Sequence, residues 1–360
     1  MSGSPLRAGV IGLGWAGRQH MAAYDELPGV ELVALAGMET DQLDQLGDQY
    51  GVQLRSRDWH DLLTSADLDV LSVATPTALH APITIAALDA GVHVLSEKPI
   101  AENAAAARSM VQAAKANDRV LEVAFNHRRR GDVAALKSAL DAGVLGDVYY
   151  AKAGWVRRQG IPTLGSWFTR KSTAGGGPLM DIGVHMLDMA LHLLGEPAVR
   201  TATASTYAEF GPRGRGSGAA MAKTGVVEGA FDVEDLATAF LRLDTGATLL
   251  LESSWAQWID QDRCYVTLAG TEGGASLEWG GSPGSSHLLN IWTELQGVPA
   301  ELHPRIGPDG GHTQCVVDFL AQVRAGASPH AAADIALNRA EVVEACYASA
   351  EQHKEVLLGR

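Results

Sequence analysis

Cysteine is scarce in this sequence: three occur among 360 residues, at Cys264, Cys315 and Cys346. They lie far apart and form neither a CxxC pair nor a zinc-binding spacing. This excludes a disulfide framework and a cysteine-bound zinc ion as the basis of the fold. We therefore expect a reduced, cytoplasmic protein in which the three thiols are small core residues.

Basic residues are also few, since the chain has 28 Lys and Arg against 42 Asp and Glu, a formal net charge of −14. Nucleic acids and anionic membranes are bound through basic surfaces, so we expect neither as a partner. No apolar run is long enough to span a membrane, and the first residues lead straight into a strand. We therefore expect neither a transmembrane segment nor a signal peptide. The length predicts two domains, each with its own core.

Glycine, in contrast, is abundant, and three glycines near the N-terminus have the spacing GxGxxG. Gly12, Gly14 and Gly17 follow the predicted strand Arg7–Ile11 and open the predicted helix Trp15–Asp25. In this setting they permit a tight turn, close approach of a pyrophosphate and close helix packing, while the helix N-terminus offers N–H groups. The motif predicts a dinucleotide-binding loop; the alternative is a glycine-rich turn without a ligand.

Strands and helices alternate through the first third of the chain. The predicted strands are Arg7–Ile11, Glu31–Ala36, Val52–Leu54, Asp69–Ala74, His93–Ser96 and Val120–Phe125. The predicted helices are Trp15–Asp25, Asp41–Tyr50, Trp59–Leu63, Ala81–Ala90 and a helix capped by Asn103 that runs to Asn117. This alternation on short loops is typical of a doubly wound parallel sheet, which binds ligands at the carboxyl ends of its strands.

Three of those strand ends carry unusual polar residues. Thr75-Pro76 and His80 follow the fourth strand, Glu97-Lys98-Pro99 follows the fifth, and Asn126-His127 follows the sixth. A lysine partly desolvated beside a cationic nicotinamide would have a lowered pKa and could donate to a substrate oxygen. Lys98 is therefore a candidate catalytic residue, although a solvated turn would also explain a Lys-Pro pair.

The stretch Gly175–Gly195 combines an almost fully apolar helix with one polar stripe. Asp181, His185, Asp188 and His192 recur at i, i+4, i+7 and i+11, so an α-helix would place all four on one face. Buried carboxylates and imidazoles are costly unless they are paired or line a cavity. The pattern indicates an active site; the alternative is a core helix whose polar groups satisfy each other.

The second half of the chain indicates an antiparallel sheet. Strands are predicted at Val148–Val156, Ala237–Leu243, Thr248–Trp255 and Cys264–Ala269, and helices at Asp132–Ala142 and Ala333–Glu351. Helices can readily cover only one face of such a sheet, so the other face predicts a homodimer or homotetramer. The basic run at residues 127–130 is interpreted as a solvated face. The irregular segment Tyr207–Ala230 is either a disordered insertion or a lid.

Four segments together resemble the glucose–fructose oxidoreductase and inositol dehydrogenase family (Gfo/Idh/MocA): GLGWAG, ATPTALH, SEKP and AGGGPLMDIGVHMLDMALHLLG. The resemblance implies an α/β fold with an NAD(P)-binding Rossmann domain at residues 1–126. A C-terminal α/β domain at 127–360, with a large and mostly antiparallel sheet, would bind substrate and form the oligomer. It also implies hydride transfer between the nicotinamide and a secondary hydroxyl or keto group of a sugar, glycoside or polyol.

The resemblance assigns catalysis to Lys98, Asp181 and His185, with the lysine arriving from the other domain. It gives Asp188 and His192 no such role, so we interpret them as structural. The candidate cofactor-binding residues are Gly12, Leu13, Gly14, Trp15, Ala16, Glu39, Thr75, Pro76, His80, Glu97, Lys98, Asn126 and Trp167. The candidate substrate-binding residues are Lys98, Asn126, Trp155, Arg157, Asp181 and His185. No metal site is predicted.

The second strand predicts NAD in preference to NADP. The family position that often holds a ribose-binding Asp is Gly37 here, no arginine follows it, and Glu39 would repel a 2′-phosphate. Two other functions remain open from the sequence. A catalytically silent cofactor-binding sensor should have lost the lysine, aspartate or histidine, and metal-assisted hydrolysis through Asp181 and His185 would need a further ligand motif.

Overall fold

The computed structural model describes residues 4–217, 231–280, 288–326 and 330–359. The chain forms two compact units. The first unit contains residues 1–126 and 310–340, and the second contains residues 127–309 and 341–360.

The first unit is built on a six-stranded parallel sheet. Its strands are β1 Leu6–Ile11, β2 Val30–Ala36, β3 Leu54–Ser56, β4 Val70–Val73, β5 His93–Ser96 and β6 Leu121–Val123. Their spatial order is β3-β2-β1-β4-β5-β6, and all neighbouring pairs are parallel. This is the strand order of a Rossmann fold, so the predicted fold class is confirmed for this unit.

Five helices connect these strands: α1 Trp15–Glu26, α2 Thr40–Tyr50, α3 Trp59–Ser65, α4 His80–Asp89 and α5 Ala104–Ala116. Asn103 caps α5 as predicted, because its side chain accepts the Ala106 N–H at 2.8 Å. The predicted third strand was two residues too early. Val52 is instead the buried residue after the left-handed cap Gly51, and its N–H bonds back to the Gly47 carbonyl.

The second unit is built on a nine-stranded sheet. Its strands are β7 Val148–Val156, β8 Val199–Tyr207, β9 Leu236–Leu243, β10 Thr248–Ser254, β11 Arg263–Gly270, β12 Gly273–Trp279, β13 Leu288–Leu295, β14 Val298–Leu302 and β15 Val356–Leu357. The order is β14-β13-β12-β11-β7-β10-β9-β8-β15. Only β7 and β10 pair in parallel; the other neighbouring pairs are antiparallel. The mostly antiparallel second sheet is thereby confirmed.

Helices lie on one face of this sheet. They are α6 Gly131–Asp141, a π-helical turn at Leu179–Gly183 and α8 Val184–Leu193; the short helix α7 Lys171–Ala174 precedes the π-helical turn in the chain. The π-helical turn and α8 both pack against β7 and β10. Leu249 and Leu251 of β10 are buried, whereas Leu250 between them is only half-buried. The strands therefore alternate between a packed inner face and a partly open outer face.

Two helices near the C-terminus complete the fold: α9 Gly311–Ala325 and α10 His330–Gln352. Residues 310–340 belong to the first unit, whereas the sequence assigned everything after residue 126 to the second domain. The physical reason is that Val316, Phe319 and Leu320 of α9 join the same buried core as the strands β1 and β2. The helix α9 was not predicted from the sequence.

Within the described parts of the chain, no helix combines the length and the apolar character needed to cross a membrane. In the segment expected to be an insertion or a lid, β8 ends at Tyr207 and a short 3-10 turn occupies Gly211–Arg213. Residues 218–230 of that segment lie outside the described residues.

Candidate active site

The glycine loop connects the end of β1 to α1 and has the geometry of a phosphate cradle. Gly12 has φ 104°, and a Cβ there would collide with the Ala74 carbonyl; a Cβ at Gly17 would collide with the Gly12 carbonyl. A Cβ at Gly14 would meet no atom within 4 Å. No side chain caps the N-terminus of α1. Space above Gly14, backed by helix N–H groups, fits a dinucleotide pyrophosphate.

The residues after β2 leave no room for the usual ribose-binding carboxylate. A Cβ at Gly37 would collide with the side chain of Leu13, which is itself buried. Leu13 therefore packs into the core and offers a ligand only its backbone. Glu39 precedes α2 and is exposed. It is therefore the first carboxylate in the chain after β2, two residues beyond Gly37.

Other predicted cofactor residues lie around the same strand ends. Ala16 is half-buried in the first turn of α1, and Trp15 is largely exposed. Thr75 and Pro76 directly follow Ala74, whose carbonyl oxygen lies against Gly12. The structure therefore brings the loop after β4 next to the glycine loop, as expected for neighbouring parallel strands.

His80 ties the loop after β4 to the loop after β5. Its Nδ1 lies 2.8 Å from the Pro99 carbonyl oxygen and its Nε2 lies 2.9 Å from the Thr75 carbonyl oxygen. The ring is 1% exposed. Burial lowers the pKa of His80 even though both carbonyls favour the protonated ring. His80 thus braces the backbone on either side of the site, whereas the sequence placed it among the residues that contact the cofactor.

Glu97 has a buried carboxylate that meets two histidines. Its Oε1 lies 3.2 Å from His20 Nε2 and 3.3 Å from His312 Nε2, and its Oε2 accepts the Lys98 N–H at 3.1 Å. The Asn126 amide nitrogen lies 3.5 Å from His312 Nδ1. Burial alone would raise the pKa of the Glu97 carboxyl, but the two imidazoles hold it far below its ordinary value.

Neither histidine was identified from the sequence. His20 stands three residues after the last glycine of the loop, which is a usable signal, but His312 arrives on α9 from a distant part of the chain. Among the described residues, His20, Glu97 and His312 form the one group of three whose types and spacing could hold a metal ion. Asp181 and His185 do not belong to it.

In the second unit, the predicted polar stripe begins in a π-helical turn. Asp181 lies within Leu179–Gly183, and only the residues from Val184 onward form a regular α-helix. The expectation of four residues on one α-helical face is therefore wrong at its first member, because a π-turn has a wider period. The Trp255 indole N–H donates to Asp181 Oδ2 at 3.0 Å, and Trp255 is fully buried. Trp255 thus fixes the carboxylate, a role that no sequence motif indicated.

The glycines before this turn are explained by the protein itself. A Cβ at Gly176 would collide with the Tyr347 hydroxyl, and one at Gly177 would collide with the Glu234 carbonyl. The Glu234 carboxylate accepts the N–H groups of Gly177 and Leu179 at 2.9 and 3.1 Å and the Tyr347 hydroxyl at 2.8 Å. Burial raises the pKa of Glu234. The absence of side chains at Gly176 and Gly177 therefore makes room for Tyr347 and Glu234, rather than for a ligand. The buried Glu234 carboxylate caps the turn.

His185 lies among aromatic rings. It is 7% exposed, its ring centroid is 4.5 Å from that of His127 in an edge-on arrangement, and 6.1 Å from that of Trp155. His127 also lies 5.3 Å from Trp155 and 6.2 Å from Trp279. The Arg157 guanidinium stands over Trp155 at 4.9 Å. These flat faces surround the imidazole that was predicted to be catalytic.

Strand register explains why two tryptophans meet here. Trp155 of β7 pairs with Cys264 of β11, which pairs with Trp279 of β12, so the three residues form a row across the sheet. The Arg130 guanidinium stands over Trp279 at 4.0 Å. Trp155 was predicted from the sequence to bind substrate, but Trp279 was not. The position of Trp279 beside Trp155 depends on the register of strands from distant parts of the chain.

The other two residues of the predicted stripe have structural partners. Asp188 is 1% exposed and forms a two-pronged ion pair with Arg128, one arm of which is 2.9 Å long. His192 Nδ1 lies 3.9 Å from Glu196 Oε1. The interpretation of residues 127–130 as a solvated face was wrong, because Arg128 is mostly buried and Arg130 pairs with the buried Asp132.

Trp167 and Arg158 occupy loops of the second unit. Trp167 stacks on Phe168 with ring centroids 3.7 Å apart. Arg158 is turned to the loop at Asp260, whose carbonyl accepts its Nη1 at 3.0 Å. The preceding residue, Arg157, points instead to the aromatic cluster, where its guanidinium stands over Trp155.

The first unit is a Rossmann fold with a phosphate cradle and Lys98 at a strand end, and the second unit carries a half-buried Asp181 and a buried His185. These features fit a nicotinamide-dependent oxidoreductase. Residues 6–125 match the oxidoreductase family with an NAD-binding Rossmann fold, and residues 133–276 match the GFO/IDH/MocA C-terminal domain. The chain belongs to this GFO/IDH/MocA oxidoreductase family.

Two relatives and two structures illustrate the similarity. D-glucoside 3-dehydrogenase of Escherichia coli K12 is 33% identical over 99% of both chains. Levoglucosan dehydrogenase of Pseudarthrobacter phenanthrenivorans is 31% identical over 74% of this chain and 72% of its own. Levoglucosan dehydrogenase in complex with NADH and L-sorbose matches the fold with a TM-score of 0.85 at 24% identity, over 99% and 100% of the chains. The structure of aldose-aldose oxidoreductase from Caulobacter crescentus, complexed with glycerol, matches with a TM-score of 0.81 at 26% sequence identity. That match covers 98% of this chain and 100% of the other.

These comparisons confirm the predicted class and cofactor. The chain is an oxidoreductase of this family with an NAD-binding Rossmann domain. The glycine cradle at Gly12, Gly14 and Gly17 provides the structural counterpart of that assignment.

Proposed function

We propose that the protein oxidises a secondary hydroxyl of a hexose glycoside or anhydro-hexose, with NAD as oxidant. The observation that carries this proposal is the aromatic cluster of His127, Trp155 and Trp279 beside His185. Aromatic faces pack against the C–H groups of a pyranose ring, while the adjacent Arg157 supplies hydrogen-bond donors for its hydroxyls. The similarity to D-glucoside 3-dehydrogenase and levoglucosan dehydrogenase supports the same substrate class.

We assign the chemistry to three residues. His185 removes the hydroxyl proton, because an imidazole is the side chain best matched to proton transfer near neutral pH. Asp181, fixed by Trp255, holds a hydroxyl of the substrate or orients the imidazole. Lys98 stabilises the alkoxide charge that develops as the proton leaves. When bound, NAD accepts the hydride that the substrate carbon releases.

The test is a substrate panel followed by NADH absorbance. Methyl β-D-glucopyranoside and levoglucosan should be turned over with a kcat/KM at least about tenfold above that of myo-inositol, because the aromatic cluster selects ring shape and aglycone. NAD binding without turnover of any sugar or polyol would instead support a catalytically silent sensor. Preference for myo-inositol would reject the glycoside assignment while leaving the three catalytic roles intact.

NAD should be preferred to NADP by at least about tenfold in kcat/KM, since like-charge juxtaposition at the 2′-phosphate costs more than that factor. Leu13 blocks a carboxylate at Gly37, and Glu39 supplies negative charge at the next exposed position. The Glu39→Arg variant should lower the ratio of kcat/KM with NAD to kcat/KM with NADP, whereas Glu31→Arg at the opposite end of β2 should leave that ratio unchanged. Comparable efficiency of the wild type with NADP would contradict the prediction.

We propose that the protein is a homodimer or homotetramer assembled through the outer face of the second sheet. Phe240 and Leu250 form a cross-strand pair there. Tyr265 lies two strands from Leu250, on β11, and all three side chains are half-buried in the single chain. Light scattering should give at least twice the monomer mass at micromolar protein. Leu250→Glu should dissociate the assembly, and Thr245→Glu in the exposed β9–β10 turn should not. A wild-type monomer would reject the proposal.

We also propose a cytoplasmic location. Cys264, Cys315 and Cys346 are all buried and none of them is in a disulfide, as expected of a protein that works in a reducing compartment. Fractionation of cells that produce the native chain tests this, and recovery from an oxidising compartment would contradict it.

A further inference from the structure

The buried group of His20, Glu97 and His312 belongs to none of the catalytic roles assigned above. The three residues come from α1, from the loop after β5 and from α9, and each is at least nine-tenths buried. Both imidazole Nε2 atoms face the same carboxylate oxygen at 3.2 and 3.3 Å. The other carboxylate oxygen accepts the backbone N–H of Lys98.

A buried carboxylate is costly unless charged or polar groups compensate it. Here the compensation comes from two imidazoles and one backbone N–H, and the pKa of Glu97 is correspondingly low. Glu97 therefore remains an anion whose two oxygens connect three elements. On the other side of Lys98, His80 holds the carbonyl of Pro99. The backbone of the Lys98 loop is thus fixed from both sides by side chains that are themselves buried.

Two imidazoles and a carboxylate are also a set of residue types that can bind zinc. The contact of Asn126 favours a proton-bearing imidazole over a metal ligand. Its amide nitrogen lies 3.5 Å from His312 Nδ1; if the amide donates there, the ring proton of His312 is on Nε2, facing Glu97. The separations of 3.2 and 3.3 Å are ion-pair distances, and Glu97 Oε1 and His20 Nε2 do not have hydrogen-bond geometry.

The group also touches the cofactor-binding loop. The Trp15 ring packs edge-on against His312 with ring centroids 5.0 Å apart, and Trp15 directly follows Gly14 of the phosphate cradle. The same imidazole therefore contacts the glycine loop on one side and the carboxylate that holds Lys98 on the other.

We infer that Glu97, held by His20 and His312, is a positioning residue that sets the place of Lys98 for catalysis. This inference rests on the proposed role of Lys98. Because a misplacement of about 1 Å can cost roughly 10²-fold in rate, the group should control kcat without contacting the substrate. The titratable groups that face Glu97 are His20 on α1, His312 on α9, and Lys98 and His80 beside its own loop.

The first test compares Glu97→Gln with Glu122→Gln, a buried glutamate on β6 whose partner is Gln322. With methyl β-D-glucopyranoside and NAD, Glu97→Gln should lower kcat by about 10–10²-fold. The dissociation constant for NADH, measured by fluorescence, should change by less than about threefold. Glu122→Gln should retain the wild-type kcat. Wild-type kcat in folded Glu97→Gln would overturn the inference.

The second test uses His312, the most accessible of the three residues at 9% exposed, and remains informative if Glu97→Gln does not fold. His312→Gln keeps an N–H for the carboxylate and should retain kcat within about threefold, whereas His312→Leu should lose about tenfold or more. Equal kcat values for the two folded variants would overturn the inference.

Two further measurements separate the possible failures. If Lys98→Met has normal turnover, the catalytic assignment of Lys98 is wrong; if Lys98→Met is impaired but Glu97→Gln is normal, only the positioning role is wrong. Metal analysis of the purified enzyme completes the set. Stoichiometric zinc whose removal by a chelator abolishes activity would overturn the inference, because the imidazoles would then be ligands and not donors.

Discussion

His185→Ala is expected to lower kcat by about 10²–10⁴-fold, the usual contribution of a positioned general base. Hydride cannot leave a secondary alcohol efficiently unless the hydroxyl proton leaves with it, and His185 is the imidazole assigned to receive that proton. The surrounding rings of His127 and Trp155 hold its plane. Steady-state rates with methyl β-D-glucopyranoside and NAD measure the loss. NADH affinity should change little, because the phosphate cradle belongs to the first unit.

His192→Ala is the matched control, since it makes the same substitution two turns further along α8. His192 is partly exposed and contacts Glu196, so its loss should leave kcat within about threefold. Lys98→Met should do harm comparable to that of His185→Ala, with unchanged thermal stability. Near wild-type turnover in both His185→Ala and Lys98→Met would reject the assignment, and Gly175–Gly195 would then be a structural helix.

The sequence predicted the first sheet almost completely because its signals are local. Apolar strands bounded by glycine and proline, and a capping Asn103, specify their own elements. The third strand was misplaced because a short apolar run does not reveal which of two neighbouring elements buries its side chains. Val52 is buried at the C-terminal cap of α2, before β3 begins.

The second unit was predicted less completely, because its key contacts are set by pairing between distant segments. Trp155 and Trp279 meet through the register of β7, β11 and β12, and no local pattern encodes that register. The α9 helix was not predicted for a similar reason. Its apolar residues pack into the core of the first unit, far away in sequence, and no local pattern indicates that contact. The dinucleotide motif succeeded because the glycines and the helix N-terminus are adjacent in sequence.

The polar stripe shows that residue spacing alone does not establish the geometry of a helix. The spacing of Asp181, His185, Asp188 and His192 suggested one α-helical face, yet Asp181 lies in a π-turn and is held by Trp255. Π-turns are rare and often occur at functional sites. The departure from a regular helix is therefore consistent with a functional role for Asp181, and the regular part of the helix contains the ion-paired Asp188.

Asp188→Asn should destabilise the protein without directly impairing the chemistry. Asp188 is almost fully buried and pairs through both oxygens with Arg128. Burial alone would lower the pKa of Arg128, but the adjacent carboxylate raises it, so the guanidinium stays charged. Neutralising Asp188 removes the nearest counter-charge of this buried guanidinium, whereas Glu196 lies further away, at 4.0 Å. The loss should be about 3 kcal/mol, which corresponds to a fall in Tm of roughly 4 °C for a chain of 360 residues.

Differential scanning calorimetry measures this change, and kcat per folded molecule should stay within about threefold of the wild type. The double variant Arg128→Met/Asp188→Leu is the decisive comparison. If the cost of the single substitution arises from an uncompensated buried charge, removing both charges should recover part of the lost Tm, because apolar side chains of similar size can replace a buried ion pair at little cost. A double variant less stable than Asp188→Asn would mean that the pair is needed for its geometry, and an unchanged Tm in Asp188→Asn would mean that water already compensates the charge.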